Sequence, residues 1–298
     1  MTNPAPSSAY WGTNVIKLIA FLDGSNYSKS VCDYAAWLAA KVDGSVDLVH
    51  VLGRRDESSA PVDLSGSIGL GARTALLEEL AELDGQVARL SHKRGRAILD
   101  DAKEILQDAG VSRVSTMLRN DGIVETVQTF EKDADLIVIG KRGEGTESDE
   151  VHLGSNFERV IRSSHKPVLV ASMHFRPIKR FLIAFDGGAS AMKAVNYLAS
   201  NQVFNDLECH ILSVADPGSA AKQQLESAVA SLLSAGYSVE STLQAGQAET
   251  VICENIRSGD IDLLLMGAYG HSRIRNLIIG STTTAMIRSC KIPVLLFR

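Results

Sequence analysis

Lys17-Leu-Ile-Ala-Phe-Leu-Asp23-Gly24 decides the fold, because the chain writes it a second time as Arg180-Phe-Leu-Ile-Ala-Phe-Asp186-Gly187. Each is an apolar run of strand length that ends in Asp-Gly and leads into an alanine-rich stretch, the pattern of a buried strand turning into a helix. Self-similarity at this spacing points to a tandem repeat before any element is assigned. The two aspartates lie 163 positions apart. Further on, Asp133-Ala-Asp-Leu-Ile-Val-Ile-Gly140 matches Asp260-Ile-Asp-Leu-Leu-Leu-Met-Gly267 at an offset of 127, and Lys166-Pro-Val-Leu-Val170 matches Lys291-Ile-Pro-Val-Leu-Leu296 at about 126. The offset falls because the first copy carries an insertion at about 53–91 where the second has only 216–220.

Working outward, the second copy shows short apolar runs at about 181–185, 210–214, 238–243, 263–266 and 294–297, separated by helical stretches. Strands alternating with helices predict a parallel sheet covered on both faces. In one such helix Leu225, Val229, Leu232 and Leu233 form a stripe and Gly236 supplies the stop, as glycine does past a helix C-terminus. The expected architecture is α/β, with two doubly wound domains, each a five-stranded parallel sheet flanked by helices. Their bounds are 1–173, including the 53–91 insertion, and 179–298, with Pro177 in the linker. The final strands, 167–170 and 293–297, are candidate edges for pairing the halves about a pseudo-twofold axis.

The 298 residues, 45% apolar and 22% charged, suffice for two cores. A net charge of −5 supplies no basic face for nucleic acid or an anionic membrane, so neither is an expected partner. Cys32, Cys209, Cys253 and Cys290 have no C-x-x-C spacing and read as buried thiols in a reducing compartment. The first residues lack the charge and apolar pattern of a signal peptide, and no run approaches about 18 apolar residues. The expected location is cytoplasmic.

Ligands of open parallel sheets bind beyond the carboxyl ends of the strands, where strand order reverses. Both Asp-Gly pairs belong there, and so does Gly267-Ala-Tyr-Gly270, followed by nine residues and Gly280-Ser281. Glycines 267, 270 and 280 are expected to take positive φ and let the backbone approach a ligand. Ser281 falls where an N-cap belongs, so its hydroxyl and the first free N–H groups can face an anion. The intervening segment brings Arg273 and Arg275 and no acid, beside His271. A polyphosphate suits it. The first copy runs Gly140-Lys-Arg-Gly143, ten residues, then Gly154-Ser155, with Glu144, Glu147, Asp149 and Glu150 in between. Four carboxylates oppose a polyphosphate, so the two sites are expected to be unequal.

These residues resemble the universal stress protein family in its tandem two-domain form, over about 14–298. Nucleotide-binding members carry G-x2-G-x9-G-[S/T], which Gly267 to Ser281 match in full. The resemblance implies an adenine-nucleotide alpha-hydrolase-like fold and ATP, with Mg2+ as a possible companion, as ligand. It places Asp186 and the backbone near Val214 at the adenine and ribose end, with Gly267, Gly270, Gly280, Ser281 and Thr282 at the phosphates. The matching first-copy positions are Asp23, Val51, Gly140, Gly143, Gly154, Ser155 and Asn156. The second copy departs from the family's Asp-x-Ser in having Gly188 where the first has Ser25.

The function that follows is a cytoplasmic, ATP-binding stress-response regulator, nucleotide being held mainly by the second domain. A regulatory protein partner, not identifiable from the chain, and a homodimer are the expected associations. Two other readings stay open. One is a slow ATPase or adenylating enzyme of the same superfamily, although no P-loop, nucleophile elbow or metal-ligand spacing is present. The other is a nucleotide-free interaction module. Gly66-Ser-Ile-Gly69-Leu-Gly71 reads as flexible insertion, and 72–89 as an added helix that either caps the first site or makes a subunit contact. His50 reads as a hydrogen-bonded structural histidine, the alternative being that it lines the first pocket.

Overall fold

A computed structural model describes residues 16–52, 70–143, 154–201, 203–216, 218, 220–268 and 280–298, with backbone alone at 70–75 and Ser155. The first half runs β1 (Lys17–Leu22), α1 (Ser28–Val42), β2 (Ser45–Val51), α2 (Leu70–Asp108), β3 (Val114–Arg119), α3 (Ile123–Phe130), β4 (Leu136–Gly140), α4 (Ser155–Ser163) and β5 (Val168–Ala171). The second repeats it as β6 (Arg180–Ala184), α5 (Ala189–Asn201), β7 (Glu208–Val214), α6 (Ala221–Ser234), β8 (Val239–Gln244), α7 (Ala248–Ser258), β9 (Leu263–Gly267), α8 (Ser281–Ser289) and β10 (Val294–Phe297).

Among the described residues ten strands form one sheet, ordered β3-β2-β1-β4-β5-β10-β9-β6-β7-β8. Pairing is parallel within each half and antiparallel only where the halves meet, with Val294 opposite Val170, Leu295 opposite Leu169 and Leu296 opposite Val168. The two edges singled out by the repeat do pair. Helices α1, α2, α5 and α6 contribute to one hydrophobic cluster, and α3, α4, α7 and α8 to the other. Strands such as β1 and β9 are therefore buried on both faces, which is why they read as continuous apolar runs rather than alternations.

Three local expectations change. The 72–89 helix is not a separate addition. It is the front of α2, which runs unbroken for 39 residues because no proline interrupts it and Gly85 and Gly95 are accommodated within the helix. The strand expected at 238–243 sits one residue later. Leu233 faces outward at 53% exposure, while Leu225 and Leu232 are buried. Gly236 does close α6, at φ +90°, with its N–H on Leu233 O at 3.0 Å and that of Tyr237 on Leu232 O at 3.1 Å.

Candidate functional site

In each half the strand order reverses between the first and fourth strands, and a cavity opens at that crevice. In the second half it measures about 320 Å3. Ala184, Phe185, Leu212, Val214, Ala248, Ile252 and Met266 make an apolar slot, and Asp186, Gly267, Gly280, Ser281, Thr282 and Thr283 line the rest. Asp186 Oδ1 accepts the Gly188 N–H at 2.8 Å, an Asx turn that fixes the carboxylate at the end of β6. The loop base is tied by Gly280 N–H to Ala268 O at 3.2 Å and by the Thr283 hydroxyl to Gly267 O at 3.0 Å. The first turn of α8 is Ser-Thr-Thr-Thr, with no acid. Its N–H groups and helix dipole favour an anion.

The first-half cavity, about 330 Å3, brings together Asp23, Val51, Gly140, Gly143, Gly154 and Asn156. Asp23 Oδ1 accepts the Ser25 N–H at 3.0 Å and the Ser28 hydroxyl at 3.4 Å. His50 is buried, with Nδ1 2.7 Å from Leu22 O, and it also lines the cavity. α2 adds two residues the repeat could not reveal, Ser91 and Arg94, and Arg142 adds a second guanidinium. Ser91 and Arg94 were missed because they lie on the part of α2 that extends ahead of the start of its shorter counterpart α6. Lys141 turns away, donating to Arg288 O at 3.2 Å and Cys290 O at 2.9 Å across the halves. Burial lowers its amine to about 8.

The two serines are not N-caps. Gly280 and Gly154 occupy those positions, with extended backbones at φ −55° and −60°, and Ser281 and Ser155 begin the helices. Neither Gly267 nor Gly280 has positive φ; among the described residues the left-handed glycines of the two sites are Gly24 at +78° and Gly187 at +73°, in the Asp-Gly pairs. Gly267 is required instead by close packing, since a Cβ there would sit 2.9 Å from Ser190 Cβ. Gly270, His271, Arg273 and Arg275, the acids at 144–150 and the 66–71 glycines lie outside the described residues. The α4 side chain at Ser155 is likewise undescribed, and Glu158 stands in that helix's first turn.

The pattern described as the Universal stress protein family matches residues 17–172 and again 177–298. The chain is 41% identical over 281 residues to the universal stress protein Slr1230 of Synechocystis sp., covering 93% of this chain and 97% of that protein. It is 34% identical over 163 residues to the universal stress protein MJ0531 of Methanocaldococcus jannaschii, covering 53% of this chain and 84% of that one. A universal stress protein structure from Archaeoglobus fulgidus superposes with a TM-score of 0.69 at 19% identity, covering 95% of this chain and 96% of the other; at that identity the likeness speaks to the fold.

Proposed function

The chain belongs to the universal stress protein family, and from that premise we propose that it is a cytoplasmic regulatory protein that binds ATP mainly in its second half. The observation that carries this is the two-part character of the second cavity. An apolar slot between Val214, Ile252 and Met266 suits a purine ring, Asp186 suits ribose hydroxyls, and the acid-free first turn of α8 suits phosphates. Arg273 and Gly270 belong to the same loop in the sequence. Among the described residues no cluster of three His, Cys, Asp or Glu gathers for a metal. In this reading Mg2+ travels on the phosphates, with Asp186 the carboxylate among the described residues of the cavity lining.

Regulation follows if ATP shifts the balance between conformations with different partner affinities; a ligand moves such a balance only by its differential affinity. The first cavity, with its acidic loop sequence, is the weaker ATP site in this reading.

The test is calorimetric titration of the full chain with Mg-ATP. Gly280 N–H bonds Ala268 O while its neighbours open the anion site, so Gly280→Val puts a branched side chain at the mouth of that site. Affinity is expected to fall at least tenfold, with one site lost. Unchanged affinity and stoichiometry in a folded Gly280→Val protein would sink the assignment.

A further inference from the structure

Helix α2 is about 58 Å long at 1.5 Å per residue. Among its described side chains the buried apolar residues, Leu99, Ala102 and Leu106, lie in the C-terminal part. The stretch ahead of them projects into solvent, with Leu77, Leu80, Leu83, Val87 and Leu90 between 47% and 64% exposed. In proteins most helical stability comes from packing of an apolar face rather than from propensity. Large apolar side chains held open on one face call for a partner.

The spacing says what kind. Leu80, Leu83, Val87 and Leu90 recur at intervals of three and four, the a/d seam that a second helix fills by knobs-into-holes packing. The charges say which way round. Glu78, Glu79, Glu82 and Asp84 stand at one end of the seam with no cation among them, and Arg89, Lys93, Arg94 and Arg96 at the other with no acid. A parallel pair would oppose acid to acid and base to base. An antiparallel pair opposes acid to base at both ends, and it makes the surface self-complementary, as a twofold interface must be.

We propose that α2 is a self-association surface, pairing antiparallel with α2 of a second copy about a twofold axis beside Gly85. Leu80 then packs on Leu90 of the partner subunit and Leu83 on Val87 of the partner subunit, with Glu79 facing the partner's Lys93. The seam ends at Arg94, which lines the first cavity. Strands β5 and β10 already pair with each other inside the chain, which leaves β3 and β8 as the edges for a rival, strand-based dimer.

Sedimentation equilibrium of the full chain tests this. The expected mass is twice the 32.0 kDa chain, and Leu83→Glu combined with Val87→Glu, which opposes like charges in the central layers, is expected to give a monomer that melts at the temperature of wild type diluted to its monomer, the wild-type midpoint alone rising with protein concentration. A second arm leaves the seam intact. Glu79→Cys and Lys93→Cys chains, one carrying a mass tag, are mixed and oxidised with glutathione disulfide. Each crosslink joins two thiols as they pass two electrons and two protons to the reagent, which is reduced to two glutathione thiols. Mixed 79-to-93 crosslinks are expected. A monomeric wild type, a dimer that survives the double substitution, or predominant 79-to-79 crosslinks would each overturn the proposal. So would a double variant that melts below wild type diluted to its monomer, since the chain itself would then cover the stripe.

Discussion

Cys209 is 1% exposed on β7, and burial alone pushes its thiol up to about 12 from an ordinary 9.0. A thiol whose pKa is raised by folding stabilises fully below the unfolded value, and that contribution drains away as pH climbs toward the folded one. The window is pH 9 to 12, with a slope of about 1.4 kcal/mol per pH unit at most. Cys32 and Cys290 act in the same direction, each also pushed to about 12 chiefly by burial. Lys141 opposes them. Its amine, lowered to about 8, makes stability rise with pH between that value and 10.5. Cys209→Ala therefore flattens the alkaline fall in urea-unfolding stability between pH 9 and 10.5; an unchanged slope means that the thiol ionises without unfolding the chain. The glycines teach a related lesson about reading single residues. Their positions at the strand ends were legible from the repeat, but their purpose was not. Gly140 and Gly267 are small because helices α1 and α5 start directly above them, where a Cβ would meet Tyr27 Cβ at 2.7 Å and Ser190 Cβ at 2.9 Å. Spacing along the chain carries no record of what crosses over it.

Two glycines of α2 have opposite reasons to exist. At Gly85 an added Cβ meets nothing within 4 Å, so the residue only weakens the helix. Gly85→Ala is expected to stabilise by about 0.5–1 kcal/mol through helix propensity. At Gly95 the same methyl would lie 2.6 Å from Leu118 Cδ1 and 2.8 Å from His50 Cδ2. The His50 ring cannot step aside cheaply, since Nδ1 is bonded to Leu22 O and the ring is buried. Gly95→Ala is expected to cost about 1–3 kcal/mol in spite of alanine's propensity, measured as a lower thermal midpoint beside a raised one for Gly85→Ala. Equal shifts for the two would show that α2 does not bear on β2 and β3. This contact explains why Ser91 and Arg94 were invisible as site residues. The helix and strand periods of the repeat were strong signals, but the part of α2 ahead of its counterpart α6 has no second copy to be compared with, and the close approach allowed by Gly95 brings those two side chains over the first cavity.

At the scale of the molecule the sequence promises two halves, while the apolar packing treats them as one. Leu169 and Leu295, cross-strand partners at the β5–β10 seam, belong to the cluster that also holds Leu38 of α1 and Phe204 from the second half. Val168, Val170, Val294 and Leu296 belong to the other cluster with residues of α4 and α8. The seam is thus covered on both faces by cores that run through it. Outside the sheet, Trp37 stacks on Phe204 at 5.7 Å, Lys41 pairs with Asp206 at 2.6 Å, and the buried Tyr34 hydroxyl reaches Ser172 at 3.0 Å. Repeated sequence reports common ancestry of the halves, and it is silent on whether their apolar faces are closed separately. When cores are continuous, opening one half exposes the surface on which the other is packed, and unfolding becomes cooperative across the seam. Differential scanning calorimetry of the ligand-free chain is expected to give one transition whose calorimetric and van't Hoff enthalpies agree. Leu169→Lys, which buries an unpaired charge in the seam, is expected to lower that single midpoint by the equivalent of about 4 kcal/mol or more. Two resolved transitions, with only the first-half one displaced by Leu169→Lys, would mean that the halves fold as separate units joined by a three-pair ladder.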